Sequence, residues 1–259
     1  MKTFVFTVDD NIRFLKELTE RNADSLFSHP YPAMYKRLHE KYGLKVHLNL
    51  FYEMPGFRLC EMTDRYRNEF SENADWLKLS FHSRLENVEP YIASCYREVY
   101  EDCRAVHEEI LRFAGEKSLG KTTTVHYCKT TEEGLYALKD NGVCGLLGLF
   151  GTDEKPETSY SLPETLCARL RKGEILSKDG MEFYSIDLVM NVYGKERLLS
   201  RLRDLLNRES LRVMIHEQYF YEDYPSYQSD FEEKIESAFK LLTENGYESR
   251  FADEMTAGK

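Results

Sequence analysis

At 259 residues the chain is one large domain or two small ones, and long enough for a sizeable core. A formal net charge of −10, with no run of Lys and Arg, argues against nucleic acid or an acidic membrane surface as the main partner. No apolar stretch reaches the ~20 residues of a membrane span, and Met1-Lys2 leads straight into a strand without signal-peptide layout, so a cytoplasmic protein is expected.

Lys2–Asn11 carries apolar or β-branched residues at nearly every position, the pattern of a strand buried on both faces of a parallel sheet. It ends in Asp9-Asp10. Neighbouring residues of a strand point to different sides, so the pair can divide its tasks, one carboxylate holding a metal and one moving a proton; the competing reading is a simple turn. Asn11 reads as the cap of a helix over Ile12–Arg21, with Phe14, Leu15 and Leu18 on one face. Ser28–Pro32 reads as a loop, followed by a helix over Met34–Lys41 that stops at Gly43. Leu44–Tyr52 is a second strand, Met54–Ala74 a long polar excursion, and Trp76–His82 a third strand.

Pro90–Ala114 has the strongest helical period, with Ile92, Cys95, Val99, Val106, Ile110 and Phe113 recurring at threes and fours. Thr122–Cys128 is a fourth strand and Thr131–Asn141 a helix with Glu132 and Glu133 in its first turn. Val143–Phe150 follows as a strand, and Lys155–Gly180 is irregular around a short helix after Pro163. Glu182–Met190 is a strand, Glu196–Arg208 a helix, Leu211–His216 a strand and Asp230–Gly246 a last amphipathic helix.

Strands alternate with helices from end to end without a linker, which predicts one α/β domain over residues 1–259. About seven parallel strands in this length fit a (β/α) barrel better than a doubly wound sheet. No Gly-x-Gly-x-x-Gly follows the first strand and no Walker loop occurs, so neither nucleotide fingerprint supports the open sheet. Cys60, Cys95, Cys103, Cys128, Cys144 and Cys167 are scattered without a Cys-x-x-Cys pair and read as reduced, mostly buried thiols.

The strand ends carry the chemistry: Asp9-Asp10, His82, His126, and His216-Glu217. In a barrel the carboxyl ends of all strands face one mouth, so these residues converge although they are distant in sequence. Two histidines and a carboxylate suit zinc or another divalent first-row metal. Such a metal lowers the pKa of bound water toward ~7 and polarises a carbonyl oxygen. The chain offers Asp10, His82 and His126 as ligands, Asp9 as base and His216 as acid toward a departing amine. For each histidine singly, a hydrogen bond to a loop carbonyl is the structural alternative. Glu217, Tyr219 and Tyr221 lie in an acidic aromatic stretch that either lines a substrate cleft or packs over the barrel rim.

Phe6-Thr7-Val8-Asp9-Asp10 resembles the Thr-Phe-Asp-Asp-Gly signature of the polysaccharide deacetylases, the NodB-homology or carbohydrate esterase 4 group. The resemblance implies a distorted (β/α) barrel that removes N-acyl groups, mostly acetyl from amino sugars, with a divalent metal. It assigns Asp9 as base and Asp10 as metal ligand. His82-Ser83 resembles the family's His-Ser/Thr-x-x-His, with Glu86 at the second His position. Glu86 therefore competes with His126 for the third ligand place and otherwise faces substrate; His126 is preferred because it closes a strand. Met214-Ile215-His216 resembles the family's Leu-x-His, whose His assists the leaving group. Asn11 replaces the family Gly, the Arg-x-Pro-x-Gly signature is missing at His126–Lys129, and Asp187 is the nearest match to the Asp-x-x-Asp-Trp signature. The expected activity is metal-dependent removal of an acyl group from an amide on a carbohydrate or related small molecule, zinc being the expected metal. The alternatives are a glycoside hydrolase on a related barrel, or an inactive barrel that binds a carbohydrate or protein partner.

Overall fold

The first strand, β1 (Lys2–Asn11), is buried along nearly its whole length because parallel neighbours flank it on both sides. The structure, a computed structural model, describes residues 2–86 and 91–255. In chain order the remaining strands are β2 (Val46–Met54), β3 (Phe57–Arg58), β4 (Leu77–Leu85), β5 (Thr122–Thr123), β6 (Gly145–Gly148), β7 (Leu176–Lys178), β8 (Met181–Ser185), β9 (Leu188–Val189), β10 (Ser210–His216) and β11 (Tyr247–Ser249). The helices are α1 (Arg13–Arg21), α2 (Pro30–Tyr42), α3 (Arg67–Glu72), α4 (Tyr96–Phe113), α5 (Glu132–Asp140), α6 (Glu164–Arg171), α7 (Lys195–Leu205) and α8 (Phe231–Glu244).

Parallel pairing runs β4-β2-β1-β10-β9 in one arc and β5-β6-β8 in a second. The arcs meet at two seams. At one, Gly120 N donates to Leu79 O at 2.8 Å. At the other, the chain between β8 and β9 donates from Ile186 N to Gly148 O and from Asp187 N to Arg212 O, both at 2.8 Å. The result is a (β/α)-barrel-like ring of the expected strand order, divided into a seven-stranded and a four-stranded sheet instead of one continuous wall. Helices cover the outside: Phe4 and Phe6 of β1 meet Phe239 of α8 at 5.4 and 4.9 Å between ring centroids. Each such buried side chain contributes roughly 1.5–3 kcal/mol.

Several boundaries move for identifiable reasons. α2 starts at Pro30, inside the expected loop, because prolines fit a first turn that needs no N–H and His29 caps it through Tyr31 N at 3.2 Å. The long excursion after Met54 contains β3 and α3. α4 opens at Tyr96 instead of near Pro90, which lies outside the described residues; Ile92 sits in a turn, 58% exposed. The strand expected over Thr122–Cys128 pairs only at Thr122–Thr123 and then turns, and the strand expected over Glu182–Met190 is split between the two sheets as β8 and β9. β7 and β11 were not anticipated; β11 adds a third parallel partner to β1 at Lys2–Phe4. All six cysteines are free, with Cys103, Cys128 and Cys167 buried. Among the described residues no helix is long and apolar enough to cross a membrane.

Candidate metal centre and cleft

Three irregularities of backbone build the site. β1 and β2 are in register at Val8↔Leu48 and again at Asn11↔Leu50, so β1 carries one extra residue at Asp9-Asp10. Asp10 takes the left-handed backbone conformation there, φ 63°. A bulge of this kind re-aims side chains, and both carboxylates consequently line one cleft instead of pointing to opposite sides. The second irregularity lies between β2 and β4, paired at Leu50↔Phe81 and then Phe51↔Ser83, which leaves His82 as the extra residue. The third is the turn after β5, where Tyr127 and Cys128 are both left-handed (φ 57° and 56°) and His126 is carried on the turn, not on a strand end.

These devices bring Asp10, His82 and His126 together. Asp10 Oδ1 lies 3.0 Å from His82 Nε2 and 3.5 Å from His126 Nδ1, and the two nitrogens are 3.0 Å apart. His82 Nδ1 donates to Thr124 O at 2.5 Å, so its Nε2 lone pair is free to face the others. Phe51 packs edge-on against both rings, at 5.1 and 5.0 Å, and fixes their tilt. Three converging lone pairs repel one another unless a cation sits between them. Tetrahedral bonds of ~2.0–2.1 Å to N and O put neighbouring ligand atoms about 3.3 Å apart. The observed spacings fit that requirement, and of the described residues this trio is the group so arranged. Glu86 lines the same cleft but stands outside the trio.

Burial opposes ionisation of Asp10, yet hydrogen bonds from His126 and His82 outweigh it and hold the carboxyl well below the usual range. Burial likewise opposes a charge on His82, and Asp9 and Asp10 together raise its pKa. Asp9 differs from its neighbour. It is 2% exposed, and burial raises its pKa despite the nearby His82 and His216. Asp9 Oδ1 accepts from Asn49 Nδ2 at 2.6 Å, and Asn49 Oδ1 accepts from Ser80 Oγ at 2.7 Å and Thr123 Oγ1 at 3.2 Å. Asp9 and His216 are register partners on β1 and β10. His216 Nδ1 is held 2.8 Å from Asn191 Oδ1, which orients the ring at the rim of the cleft.

The cleft has a volume of about 420 Å³ and is walled by Tyr127 and Lys129 on the β5 side and by His216, Gln218, Tyr219 and Tyr224 on the β10 side. Tyr219 lines the cleft, its ring 6.2 Å from that of His216. Glu217 does not. It is 1% exposed and its carboxylate accepts from Ile12 N, Arg13 N and Phe14 N at 2.7, 3.0 and 2.8 Å, capping α1 from outside. Asn11, expected to be that cap, instead donates to Val8 O at 2.6 Å and accepts from Tyr31 OH at 2.8 Å. Asp187 is also away from the cleft, bonded to Arg208 and, at 3.2 Å, to Arg212. Sequence reasoning missed Asn49, Asn191 and Gln218. Asn49 had a signal, a polar residue in the middle of an apolar strand; the other two had none.

No family model matches the sequence, and no curated protein matches it. Solved structures do. A family 4 acetyl xylan esterase from Clostridium thermocellum, in complex with a cobalt ion, aligns over 98% of this chain and 89% of its own at 12% identity and TM-score 0.56. A peptidoglycan N-acetylglucosamine deacetylase aligns over 99% and 90% at 9% identity and TM-score 0.53. The 4-alpha-glucanotransferase from Thermococcus litoralis aligns over 98% of this chain and 40% of its own, at 13% identity and TM-score 0.58. The chain thus has the (β/α)-barrel-like fold found in carbohydrate esterase 4 deacetylases, and its structural neighbours include members of that group.

Proposed function

We propose that this protein is a hydrolase that removes an acyl group from an amide on a carbohydrate or related small molecule, using a divalent metal, with zinc the expected ion. The observation that carries the reading is the convergence of Asp10 Oδ1, His82 Nε2 and His126 Nδ1 within 3.0–3.5 Å on the floor of an open cleft. A metal bound there supplies a Lewis acid and acidifies water at neutral pH. The chain's own residues divide the rest. Asp9, held by Asn49 and beside the ligand residue, takes the proton from the attacking water. His216, oriented by Asn191, gives a proton to the departing amine, which cannot leave as an anion. The tyrosines of the cleft wall offer flat faces to a sugar ring or comparable body.

The test is metal analysis of the purified chain together with release of acetate from N-acetylglucosamine oligomers. One equivalent of zinc or another divalent metal with turnover supports the proposal. Metal binding without turnover of any acylated amine favours an inactive barrel that binds its partner through the same cleft, a reading that Glu86 in place of a second motif histidine would then explain.

A further inference from the structure

Resting on the metal-binding reading, we infer that Gln218 is a positioning residue that makes Asp10 a one-oxygen ligand. Gln218 Nε2 donates to Asp10 Oδ2 at 2.7 Å, while Oδ1, the other oxygen, faces His82 and His126. The direction follows from chemistry: an ionised carboxylate only accepts, so the amide must present its N–H₂. With Oδ2 occupied, a cation entering the trio meets Oδ1 alone.

Two further features point the same way. Gln218 Oε1 is buried without a hydrogen-bond partner. An unpaired buried acceptor is destabilising, a cost that an apolar side chain of the same length would avoid; what Gln218 offers in return is its donor. Its backbone is also fixed. Glu217, one residue earlier, is tied to Ile12, Arg13 and Phe14, so the turn bearing Gln218 is fastened beside the bulge bearing Asp10. Asp10 itself is in a left-handed conformation that a non-glycine residue holds against strain, and it persists only where its surroundings enforce it. Gln218 supplies that enforcement at the carboxylate.

The experiment is titration of the metal-free full chain with Co²⁺, read by visible absorption, for the wild type and Gln218→Met. Met fills the same length without a donor. The expected result is a 10–100-fold weaker Co²⁺ affinity, the usual cost of losing a hydrogen bond to a ligand. The d–d bands should also weaken as Asp10 becomes free to bind through both oxygens and coordination number rises. Melting of the metal-free forms checks that both are folded; should Gln218→Met not fold, Gln218→Asn, whose amide is one methylene too short, gives the same readings. Equal affinity and an unchanged spectrum overturn the inference while leaving the metal site intact. A wild type that takes up neither Co²⁺ nor Zn²⁺ overturns the inference together with the reading beneath it.

Discussion

Replacing Glu217 by Gln tests how the cleft is held together. The carboxylate accepts four hydrogen bonds: Ile12 N and Arg13 N on Oε2, Phe14 N and Tyr221 OH on Oε1, at 2.7–3.0 Å. A Gln amide keeps one accepting oxygen and turns its N–H₂ toward the other donors. When protonated, the wild-type carboxyl still accepts on both oxygens and can turn its O–H toward Tyr221 OH, whereas the amide nitrogen accepts nothing; at about 1–3 kcal/mol for each buried group left unpaired, the variant should then lose roughly 2–4 kcal/mol. The pH dependence is separable from that loss. Burial pushes Glu217 from 4.5 up to about 7, with the backbone donors at the start of α1 holding it back. A raised carboxyl contributes stability that is fully present below pH 4.5 and lost as pH rises through 7. At about 1.4 kcal/mol per tenfold change in proton affinity, ionisation costs the folded wild type roughly 3 kcal/mol, a cost the Gln variant never meets. Urea unfolding of both proteins from pH 4.5 to 8.5 should therefore show the wild type ahead at low pH and its lead shrinking toward nothing above pH 7. A lead that is flat refutes the claim that burial dominates at Glu217; a lead that grows with pH shows that the helix terminus wins and the group is ionised throughout.

Asp9→Asn should keep metal and fold while losing about 10²–10⁴-fold in hydrolysis of an N-acetylated substrate, whereas Asp10→Asn should lose metal and activity together; identical behaviour of the two would end the division between base and ligand. His126→Ala should abolish stoichiometric metal and Glu86→Ala should leave it in place, as measured by elemental analysis after dialysis, and the reverse pattern would make Glu86 the third ligand. Asn191→Ala frees His216 Nδ1, so kcat should fall with KM and metal content little changed; an unchanged kcat would remove His216 from the proton path.

The sequence carried the ring order of strands because period and capping are local. It also pointed to Asp9, Asp10 and His82, which the structure places around one cleft, because two adjacent carboxylates and a histidine stand out at the ends of apolar runs. Where local signals compete it misled. Ser28–Pro32 looks like a loop by composition, yet two prolines in a first turn are compatible with helix, and α2 begins there. Ile92 keeps the helical period by chance and sits exposed outside the helix. Asn191 and Gln218 had no local signal at all, since their partners, His216 and Asp10, are 25 and 208 residues away.

The same distance explains why Asp9-Asp10 could not be read correctly from strand alternation. Alternation places neighbouring side chains on opposite faces, which is true of a regular strand and false at a bulge. The bulge itself exists because three things meet there: the extra residue against β2, the side chain of Asn11 bonded to Val8 O and to Asn49 O, and the cap that Glu217 lends to α1. Asn11 thus does not initiate the helix; it closes the bulge, and that frees the capping task for a carboxylate at the end of β10. The consequence is mechanical. The turn after β10, with His216, Glu217 and Gln218, and the end of β1, with Asp9 and Asp10, form one hydrogen-bonded unit, while His82 and His126 are joined separately through Thr124 O and Phe51. Proposed base, acid, carboxylate ligand and His82 therefore stand on the seven-stranded arc, and His126 stands on the turn that follows β5 in the other arc. Within the trio, the contacts that cross between the arcs run to His126 Nδ1, from His82 Nε2 at 3.0 Å and from Asp10 Oδ1 at 3.5 Å, so a cation bound there clasps both arcs as well as serving the chemistry.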